Sequence, residues 1–328
     1  MKKSNLTIAQ QSRISFAVQQ GLMTADWEYV SLLSGGLSGV PVCKISVNQK
    51  FYVVKLDELS DTNFNLVRNY ALLEHVSKQG IAPPVYFTDA EHGVILMKYI
   101  DVKPRPPATL ESVKQFAYLL RKLHDGTSFS PWKSKFEILD YFYQQLTPEH
   151  QASSLIKTGI REVKRLHTYL SDPADMRPCH CDLNPNNLLF DGQKYYLVDW
   201  QAASPQSFYF DLASSANFFY FYSEEWCQLF LKEYFGRSTH RDENEKFKLM
   251  RKFTHIYYGI VFIALPLLKN IQLSPLSEQE IASLPSYLEF MQLLGSGKVT
   301  LSDPKTQQRF GYIFLKTADL TRSINPGT

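Results

Sequence analysis

The most constraining feature of this chain is a polar stretch that begins at His180 and ends at Trp200, HCDLNPNNLLFDGQKYYLVDW. It spaces Asp182, Asn187 and Asp199 around an Asp-Gly pair, which is a strong local signal for a hairpin turn. Two carboxylates and an amide that converge at strand ends provide the oxygen ligands that suit Mg²⁺. Asp, Asn and Gly also dominate solvated turns for backbone reasons alone. This stretch alone therefore fits both a metal site and an ordinary turn, and other features of the sequence are needed to distinguish them.

Length and composition favour a soluble globular protein with two lobes. At 328 residues the chain is long enough for two separate cores. Its hydrophobic content of 44% and charged content of 20% are ordinary for a globular protein. The 35 Lys and Arg residues against 32 Asp and Glu give a net charge of +3, which is too weak to indicate a nucleic-acid partner.

The cysteines and the apolar runs favour a cytoplasmic location. Four cysteines without a disulfide framework indicate a reducing compartment. Cys179 and Cys181 have no second cysteine cluster and make a poor zinc site. No apolar signal-peptide run follows the opening MKK. The longest apolar run, GIVFIALPLL at 259–268, falls short of the roughly 20 residues of a membrane span, so we expect a buried helix and no membrane span.

Strand patterns dominate the first hundred residues. Three segments are rich in Val, Ile, Tyr and Phe and are separated by turn-forming residues: WEYVSLLS, VPVCKISV and KFYVVKLD. A helical period follows, with Asp61 as the expected N-cap and Gly80 as the expected stop. Two further strands are predicted by PPVYFTD and GVILMKYI. We therefore predict that residues 1–100 form a lobe with a five-stranded antiparallel sheet and one helix.

A proline-rich segment separates this lobe from a mainly helical remainder. Residues 101–108, within IDVKPRPPA, are the expected hinge. Helical periods follow at about 109–124, 135–147 and 151–171, and several more follow from 211, with the hairpin as the exception. The predicted fold is thus α+β and bilobal, with a larger helical lobe at 109–328. Ligands often bind at such a boundary.

Two further elements bear on phosphate binding. The segment LSGGLSGVPV at 33–42 contains Gly35, Gly36, Ser38 and Gly39, and glycines let backbone amides approach phosphate oxygens. Lys55 lies within the apolar strand FYVVKL. Such a lysine either extends its ammonium group outward to water or directs it at a ligand. Taken singly, each element is better explained as an ordinary turn or an ordinary surface lysine.

In combination and in this order, the three elements resemble the protein-kinase-like fold: a glycine loop, a strand lysine, H-x-D-x-x-x-x-N and a metal aspartate. The motif reads His-Cys-Asp rather than His-Arg-Asp, VDW stands in place of Asp-Phe-Gly, and no Ala-Pro-Glu segment follows. This pattern resembles the choline/ethanolamine kinase family within the aminoglycoside phosphotransferase superfamily. GIAPPVY, FAYLLRKLH and LVDWQAAS…FYFDLA are similar to further segments of that family. The resemblance covers roughly residues 30 to 265.

The resemblance implies ATP and Mg²⁺ as cofactors and a role for each matching residue. Asp182 would orient the acceptor hydroxyl and accept its proton, while Asn187 and Asp199 would hold the metal. Lys55 would bind the α- and β-phosphates. The glycine loop would cover the phosphates, and the adenine edge would face the backbone of Met97, Lys98 and Tyr99. His180 is interpreted as structural; Asp211 would either brace the catalytic loop or cap its own helix.

Two positions depart from the family pattern. The family usually carries a glutamate on the first helix that pairs with the strand lysine, and Asn69 occupies the expected place. Glu74 is the nearest acidic residue on that helix and is the alternative partner for Lys55. Gln201 stands where the family usually carries a second glutamate, which removes a negative charge beside the expected acceptor site.

The acceptor is expected to be a small cationic alcohol of the choline or ethanolamine type. A quaternary ammonium group binds to aromatic faces, and the segment HIYYGIVF at 255–262 resembles the family segment that supplies them. Tyr258 keeps a ring at one such place, whereas Val261 does not. Thiamine and an aminoglycoside, the latter favoured by the acidic run HRDENE at 240–245, remain alternatives. A catalytically inactive nucleotide-binding pseudokinase is the alternative of another class, and the sequence leaves the oligomeric state open.

Overall fold

The structure is a computed structural model that describes residues 6–33, 40–59 and 65–318. Its strands are β1 Glu28–Leu32, β2 Val42–Val47, β3 Lys50–Leu56, β4 Val85–Asp89, β5 Val94–Lys98, β6 Met176–Cys179, β7 Leu188–Phe190, β8 Tyr195–Leu197 and β9 Ser204–Ser207. Its helices are α1 Ile8–Leu22, α2 Leu66–Lys78, α3 Leu110–His124, α4 Lys135–Gln144, α5 Pro148–Ala152, α6 Ser154–Leu170, α7 Tyr209–Phe219, α8 Glu224–Phe235, α9 Arg241–Leu268, α10 Glu278–Ser283, α11 Tyr287–Gly295 and α12 Pro304–Thr317.

The chain divides into two compact units. Unit 1 comprises Met1–Ser130 and Asp182–Ala203, and unit 2 comprises Pro131–Cys181 and Ser204–Thr328. The β7–β8 hairpin therefore belongs to the same unit as the larger sheet, although a long stretch of chain separates them. The predicted division at 100 and 108 stays a prediction.

Unit 1 contains a five-stranded sheet in the order β1-β2-β3-β5-β4, with every neighbouring pair antiparallel. Along β2, buried residues alternate with partly exposed ones, as expected for a strand with one face on a core. Asn48 and Gln49 join β2 to β3 with φ values of 49° and 62°, the backbone that a tight two-residue hairpin requires. The predicted sheet is confirmed.

The prediction of one helix in this region was wrong, because α1 precedes the sheet. Thr7 and Gln10 form a capping box at its start. Only Ile14, Ala17 and Val18 are buried along its length, and they pack against the β2 and β3 core. Such a narrow apolar face gives a weak periodic signal, so the capping pair was the available clue.

The second helix, α2, follows the predicted pattern with a different cap. Asn65 caps it by accepting a hydrogen bond from the Arg68 amide at 2.9 Å. The predicted cap, Asp61, lies outside the described residues. Gly80 follows the helix with φ of 72°, a left-handed conformation that glycine adopts without a steric penalty.

Unit 2 is mainly helical and is organised around α9. Helix α12 lies so close to α9 that a Cβ atom at Gly311 would lie 2.6 Å from the Gly259 carbonyl oxygen. The residues after 270 lacked a recognised motif, yet α11 and α12 supply rings such as Tyr287 and Phe314 to the aromatic core. A two-stranded sheet of β6 and β9, not predicted from the sequence, completes the unit.

Together, a five-stranded antiparallel sheet unit and a mainly helical unit confirm the predicted α+β, protein-kinase-like fold. The run at 259–268 lies within α9, as expected of a buried helix. Within the described ranges, none of the helices has the length and hydropathy needed to cross a bilayer.

Candidate active site

Asp182 begins a short loop whose own side chains orient its carboxylate. Asn184 donates its side-chain amide to Asp182 Oδ1 at 3.1 Å. Asn187 donates to Asp182 Oδ2 and to the Asp182 carbonyl oxygen, both at 2.9 Å. A single 3-10 turn, Pro185–Asn187, closes the loop. With its nitrogen committed to Asp182, Asn187 has its amide oxygen left to serve as a ligand.

The β7–β8 hairpin brings Asn187 and Asp199 to one end. Leu188 pairs with Leu197, and the Val198 amide donates to the Asn187 carbonyl at 3.0 Å. The metal residues predicted twelve positions apart in sequence therefore flank the open end of one hairpin. At its other end, the side chain of Asp191 accepts hydrogen bonds from the amides of Gln193 and Lys194.

Asp199 has an unusual backbone and a charged neighbour. Its φ of 64° and ψ of 71° place it in the left-handed region, which is uncommon for a residue other than glycine and occurs often at functional sites. Its carboxylate lies 3.7 Å from the Lys55 ammonium group and is 40% exposed. The structure thus brings together two predicted site residues that the sequence places far apart.

Asp57 is a site residue that the sequence analysis missed. Its carboxylate lies 3.4 Å from Lys55 Nζ and is almost fully buried. It also accepts hydrogen bonds from the Tyr70 hydroxyl at 2.9 Å and from Gln201 Nε2 at 3.3 Å. Burial and the Asp57 carboxylate raise the pKa of Tyr70, so Tyr70 is a permanent donor. The only available signal was its spacing: Asp57 follows Lys55 by two residues, directly after β3 ends at Leu56, and side chains two apart along an extended chain lie on the same side.

Lys55, Asp57 and Asp199 line a cavity of about 50 Å³ within unit 1. Leu73, Ile95 and Met97 add apolar side chains to its wall. The cavity has room for water and is too small for a nucleotide. Charged groups that line such a partly enclosed space are screened less than charged groups at the surface.

The other predicted nucleotide contacts are only partly described. The amides of Lys98 and Tyr99 donate to the carbonyl oxygens of Pro84 and Phe51, at 2.8 and 3.3 Å, and are used within the sheet. Met97 turns its side chain toward the cavity. The glycine-loop residues lie outside the described residues: Gly35, Gly36, Ser38 and Gly39.

Gln201 lies on the 3-10 turn Trp200–Ala202 that follows Asp199. It was expected beside the acceptor, yet its amide nitrogen contacts Asp57. Its carbonyl oxygen remains available to other groups. In this structure Gln201 therefore forms part of the surroundings of Lys55.

Asp211 holds the backbone that precedes Asp182 in the chain. Its buried carboxylate accepts from the amides of His180 and Cys181 at 2.7 and 2.8 Å. Phe208, not Asp211, is the N-cap of α7. Cys181 has a φ of 67°, and two charge-assisted hydrogen bonds help to hold such a conformation. The side chain of His180 is fully buried, and its structural role stays a prediction.

Arg105, in the proline-rich segment, is a second residue whose contacts were not predicted from the sequence. Its guanidinium group donates to the carbonyl oxygens of Pro185 and Leu188. Nearby, the Lys103 amide donates to the Phe190 carbonyl at 2.7 Å. The segment expected to act as a hinge is thus hydrogen-bonded to the loop that follows Asp182 and to the hairpin of its own unit.

Tyr258, the predicted acceptor residue, lies in the aromatic core of unit 2. Its ring centroid is 5.0 Å from that of Phe218 and 5.7 Å from that of Phe314. The residue is 6% exposed. Contact with an acceptor would require these neighbouring rings to move.

The donor set at the end of the hairpin suits a hard cation. Asp199 offers a partly exposed carboxylate and Asn187 an amide oxygen, both of which are ligand types that Mg²⁺ prefers. Lys55 adds a positive charge beside them. Oxygen ligands and an ammonium group together are complementary to a metal–phosphate unit.

The fold is protein-kinase-like, and the family match identifies the chain as a phosphotransferase. The chain belongs to the APH phosphotransferase enzyme family, whose model matches residues 30–244. The matched region includes Lys55, Asp182, Asn187 and Asp199, whereas α12 and most of α9 lie beyond it.

One relative is similar to part of this chain. A LicA homolog from Mycoplasma capricolum is 24% identical over 155 residues, which are 46% of this chain and 60% of the relative. This chain therefore spans less than two thirds of that relative's length.

Two solved structures share the fold. A choline/ethanolamine kinase family protein from Mesorhizobium loti has a TM-score of 0.64 at 16% identity, covering 94% of this chain and 100% of the other. LicA in complex with AMP has a TM-score of 0.64 at 18% identity, covering 96% and 100%. At these identities the likeness is one of fold.

Proposed function

We propose that this protein is an ATP- and Mg²⁺-dependent phosphotransferase that moves the γ-phosphate to the hydroxyl of a small cationic alcohol. The observation that carries the proposal is the convergence of Lys55 and Asp199, 3.7 Å apart, at the hairpin end that also holds Asn187. Phosphoryl transfer depends mainly on positioning and on neutralising charge, and these side chains provide both.

In the proposed reaction, Lys55 binds phosphate oxygens as a compact point charge. Asp199 and Asn187 hold Mg²⁺, which supplies charge neutralisation on the phosphates when bound. The predicted glycine-loop amides would add hydrogen bonds to the same phosphates. That a fold neighbour, LicA, is known in complex with AMP supports a nucleotide as the ligand.

Asp182 acts on the acceptor. Its carboxylate orients the hydroxyl and accepts its proton as the new oxygen–phosphorus bond forms and ADP leaves. The amide donors of Asn184 and Asn187 fix the direction of that carboxylate. A positioned oxygen is more important than a strong base for this chemistry.

We infer a choline- or ethanolamine-like acceptor from the Mesorhizobium loti fold neighbour and from Gln201. Gln201 leaves one carboxylate fewer than the family pattern, which disfavours a polycationic aminoglycoside. Tyr258 is the aromatic residue assigned to the acceptor's cationic group, provided that its ring neighbours shift. Thiamine remains an alternative. A cytoplasmic location is supported by four buried free cysteines.

An inactive nucleotide-binding module is the alternative of another class. Its support was the absence of a glutamate at Asn69 as a partner for Lys55. Asp57 supplies a carboxylate to Lys55 instead, which removes that support.

The decisive experiment measures ADP release from Mg·ATP with an acceptor panel. The panel contains choline, ethanolamine, thiamine, an aminoglycoside and a methylthio-sugar, with the Asp182→Ala variant as the matched control. We expect release to be stimulated by the small cationic alcohols and to be lost in the variant. Binding of Mg·ATP without stimulation by any acceptor would support the inactive module, and a preference for the uncharged sugar would overturn the cationic acceptor.

A further inference from the structure

The buried carboxylate beside Lys55 has a role that the nucleotide-binding pattern does not assign. We propose that Asp57 is a positioning residue for phosphate binding: it holds the Lys55 ammonium group and so leaves Asp199 available for the metal. This inference rests on the proposed function, since Lys55 must bind the nucleotide. Asp57 itself is not expected to touch the nucleotide.

The contacts of Asp57 account for its burial. A buried carboxylate is costly unless it is paired and hydrogen-bonded. Asp57 has an ammonium partner at 3.4 Å and two neutral donors, the Tyr70 hydroxyl and the Gln201 amide. These partners come from three different elements of unit 1, β3, α2 and the turn after Asp199. The position of the carboxylate is therefore fixed from several sides.

The backbone of Asp57 is fixed as well. Its amide donates to the Gly93 carbonyl at 2.8 Å, and its carbonyl accepts from the Arg13 guanidinium at 2.7 Å. Gly93 has a φ of 59°, and a Cβ atom there would lie 2.7 Å from the Asp57 carbonyl oxygen. These contacts fix the backbone directly after β3, so Asp57 can hold Lys55 without moving.

The acidic candidate on α2 is engaged elsewhere. Glu74 accepts a hydrogen bond from the Thr88 hydroxyl. Asn69, at the position expected for a glutamate, accepts from the Arg68 side chain at 3.1 Å through its own oxygen. The ion pairs of Lys55 are instead with Asp57 and Asp199. The buried carboxylate partner of Lys55 therefore lies directly after its own strand, at Asp57, and not on α2.

Gln201 supplies an uncharged hydrogen-bond donor to Asp57. A glutamate at 201 would place a second carboxylate where the amide nitrogen now lies, 3.3 Å from Asp57 Oδ1. Two carboxylates so close repel each other and do not both stay ionised. Asp57 and Gln201 therefore form a matched pair: the acid at 57 requires a donor at 201.

The mechanistic consequence follows from the two distances to Lys55. The buried Asp57 lies closer, at 3.4 Å, than the exposed Asp199, at 3.7 Å. Without Asp57, Asp199 would be the remaining carboxylate partner of the ammonium group among the described residues. It would then compete with Mg²⁺ for that carboxylate and leave its phosphate-binding position.

The test is a double-mutant cycle on the full chain with Asp57→Asn, Lys55→Met and both together. The readouts are the Kd for Mg·ATP by calorimetry, kcat and KM with the best acceptor, and the unfolding temperature. Misplacing the lysine should lower kcat/KM for ATP by about 10- to 100-fold in Asp57→Asn. In the Lys55→Met background the same change should have little further effect. Glu74→Gln is the matched control on α2 and should leave the Kd unchanged.

The outcomes separate this inference from the function on which it rests. If Lys55→Met leaves both Mg·ATP binding and turnover intact, the phosphate-binding role that the proposed function gives to Lys55 is wrong. If Lys55→Met weakens binding but Asp57→Asn does not, or if the two effects add, Asp57 does not act through Lys55. A lower unfolding temperature with unchanged Kd would likewise overturn the positioning role.

The matched pair gives a rescue experiment. Gln201→Glu alone should weaken Mg·ATP binding, because it adds a like charge beside Asp57. Combined with Asp57→Asn it returns one carboxylate and one amide to the same contact, and we expect at least part of the lost affinity to return. A double variant weaker than both single variants would contradict the pairing.

Discussion

The side-chain nitrogen of Asn187 lies 2.9 Å from the Asp182 carboxylate, so the residue expected to hold the metal also orients the residue expected to accept the proton. The two functions are linked through one amide group. Its nitrogen serves Asp182 and its oxygen is directed elsewhere. Loss of Asn187 should therefore affect both the acceptor and the metal.

Asp182→Ala should lower kcat and leave nucleotide binding nearly intact. A positioned general base contributes roughly 10²- to 10⁴-fold to turnover, and Asn184 and Asn187 of the same loop donate hydrogen bonds to the Asp182 carboxylate. Steady-state kinetics and Mg·ATP calorimetry on the same preparation test this. Near-full turnover with the preferred acceptor would remove Asp182 from the mechanism.

Asp199→Asn should weaken the binding of Mg·ATP itself. The loss of one negative metal ligand should raise the Kd by at least about tenfold, equivalent to about 1.4 kcal/mol. Asp191→Asn is the control, because Asp191 lies at the opposite end of the same hairpin and accepts hydrogen bonds from its turn amides. Equal losses in the two variants would indicate damage to the hairpin instead of a metal role.

Asp211→Ala should destabilise unit 2 by removing the acceptor of two buried amides. Leaving a buried amide without a partner costs about 1–3 kcal/mol for each group. Chemical denaturation measures the loss. Asp303→Ala removes the exposed N-cap of α12 and should cost only about 1 kcal/mol. If Asp211→Ala lowers the free energy of unfolding by less than Asp303→Ala does, the hydrogen bonds from the His180 and Cys181 amides to Asp211 are dispensable for stability.

Tyr258→Ala tests the acceptor site. If the ring contacts a cationic alcohol, KM for choline should rise by roughly 2- to 30-fold, since a cation–π contact contributes about 0.5–2 kcal/mol. Tyr258→Phe keeps the ring and should keep KM. Phe310→Ala, another core ring, controls for destabilisation. A KM that rises equally in Tyr258→Ala and Phe310→Ala would point to packing alone.

Acid stability should depend on Glu162. Its hydrogen bonds with Arg165 and Lys252 lower its pKa from 4.5 to about 2. Because the folded-state pKa is the lower one, the stabilisation is complete above pH 4.5 and is lost as the pH falls toward 2. Between about pH 6 and about pH 3, the free energy of unfolding of Glu162→Gln should depend less steeply on pH than that of the unchanged protein. Chemical denaturation measures both. Glu111→Gln, at an exposed position of α3, is the matched control.

The hairpin site was predictable because its signals are local. Asp182, Asn187 and Asp199 lie within one short stretch, and the turn residues at Asp191 and Gly192 specify the pairing that brings its ends together. The strand lysine and the five-stranded sheet could likewise be predicted from residue pattern, because strand periodicity is carried by neighbours in sequence.

Asp57 could not be identified in the same way. Its significance comes from Tyr70 on α2 and Gln201 on a distant turn, and no spacing rule connects these three residues. The contact between Gln201 and Asp57 is likewise a property of the folded unit, and the place of Gln201 beside the acceptor stays a prediction. Helix α1 was missed because only three of its residues are buried.

The contact between Gly259 and Gly311 has a practical consequence for anyone who expresses part of this chain. A recombinant fragment that ends at residue 244, where the family match stops, lacks α12 and almost all of α9. Rings such as Phe210 and Phe218, which pack against α9 residues, would then face solvent. Exposed aromatic patches of this kind promote aggregation. Expression should therefore extend through α12, because the boundary of a family match is not the boundary of a stable core.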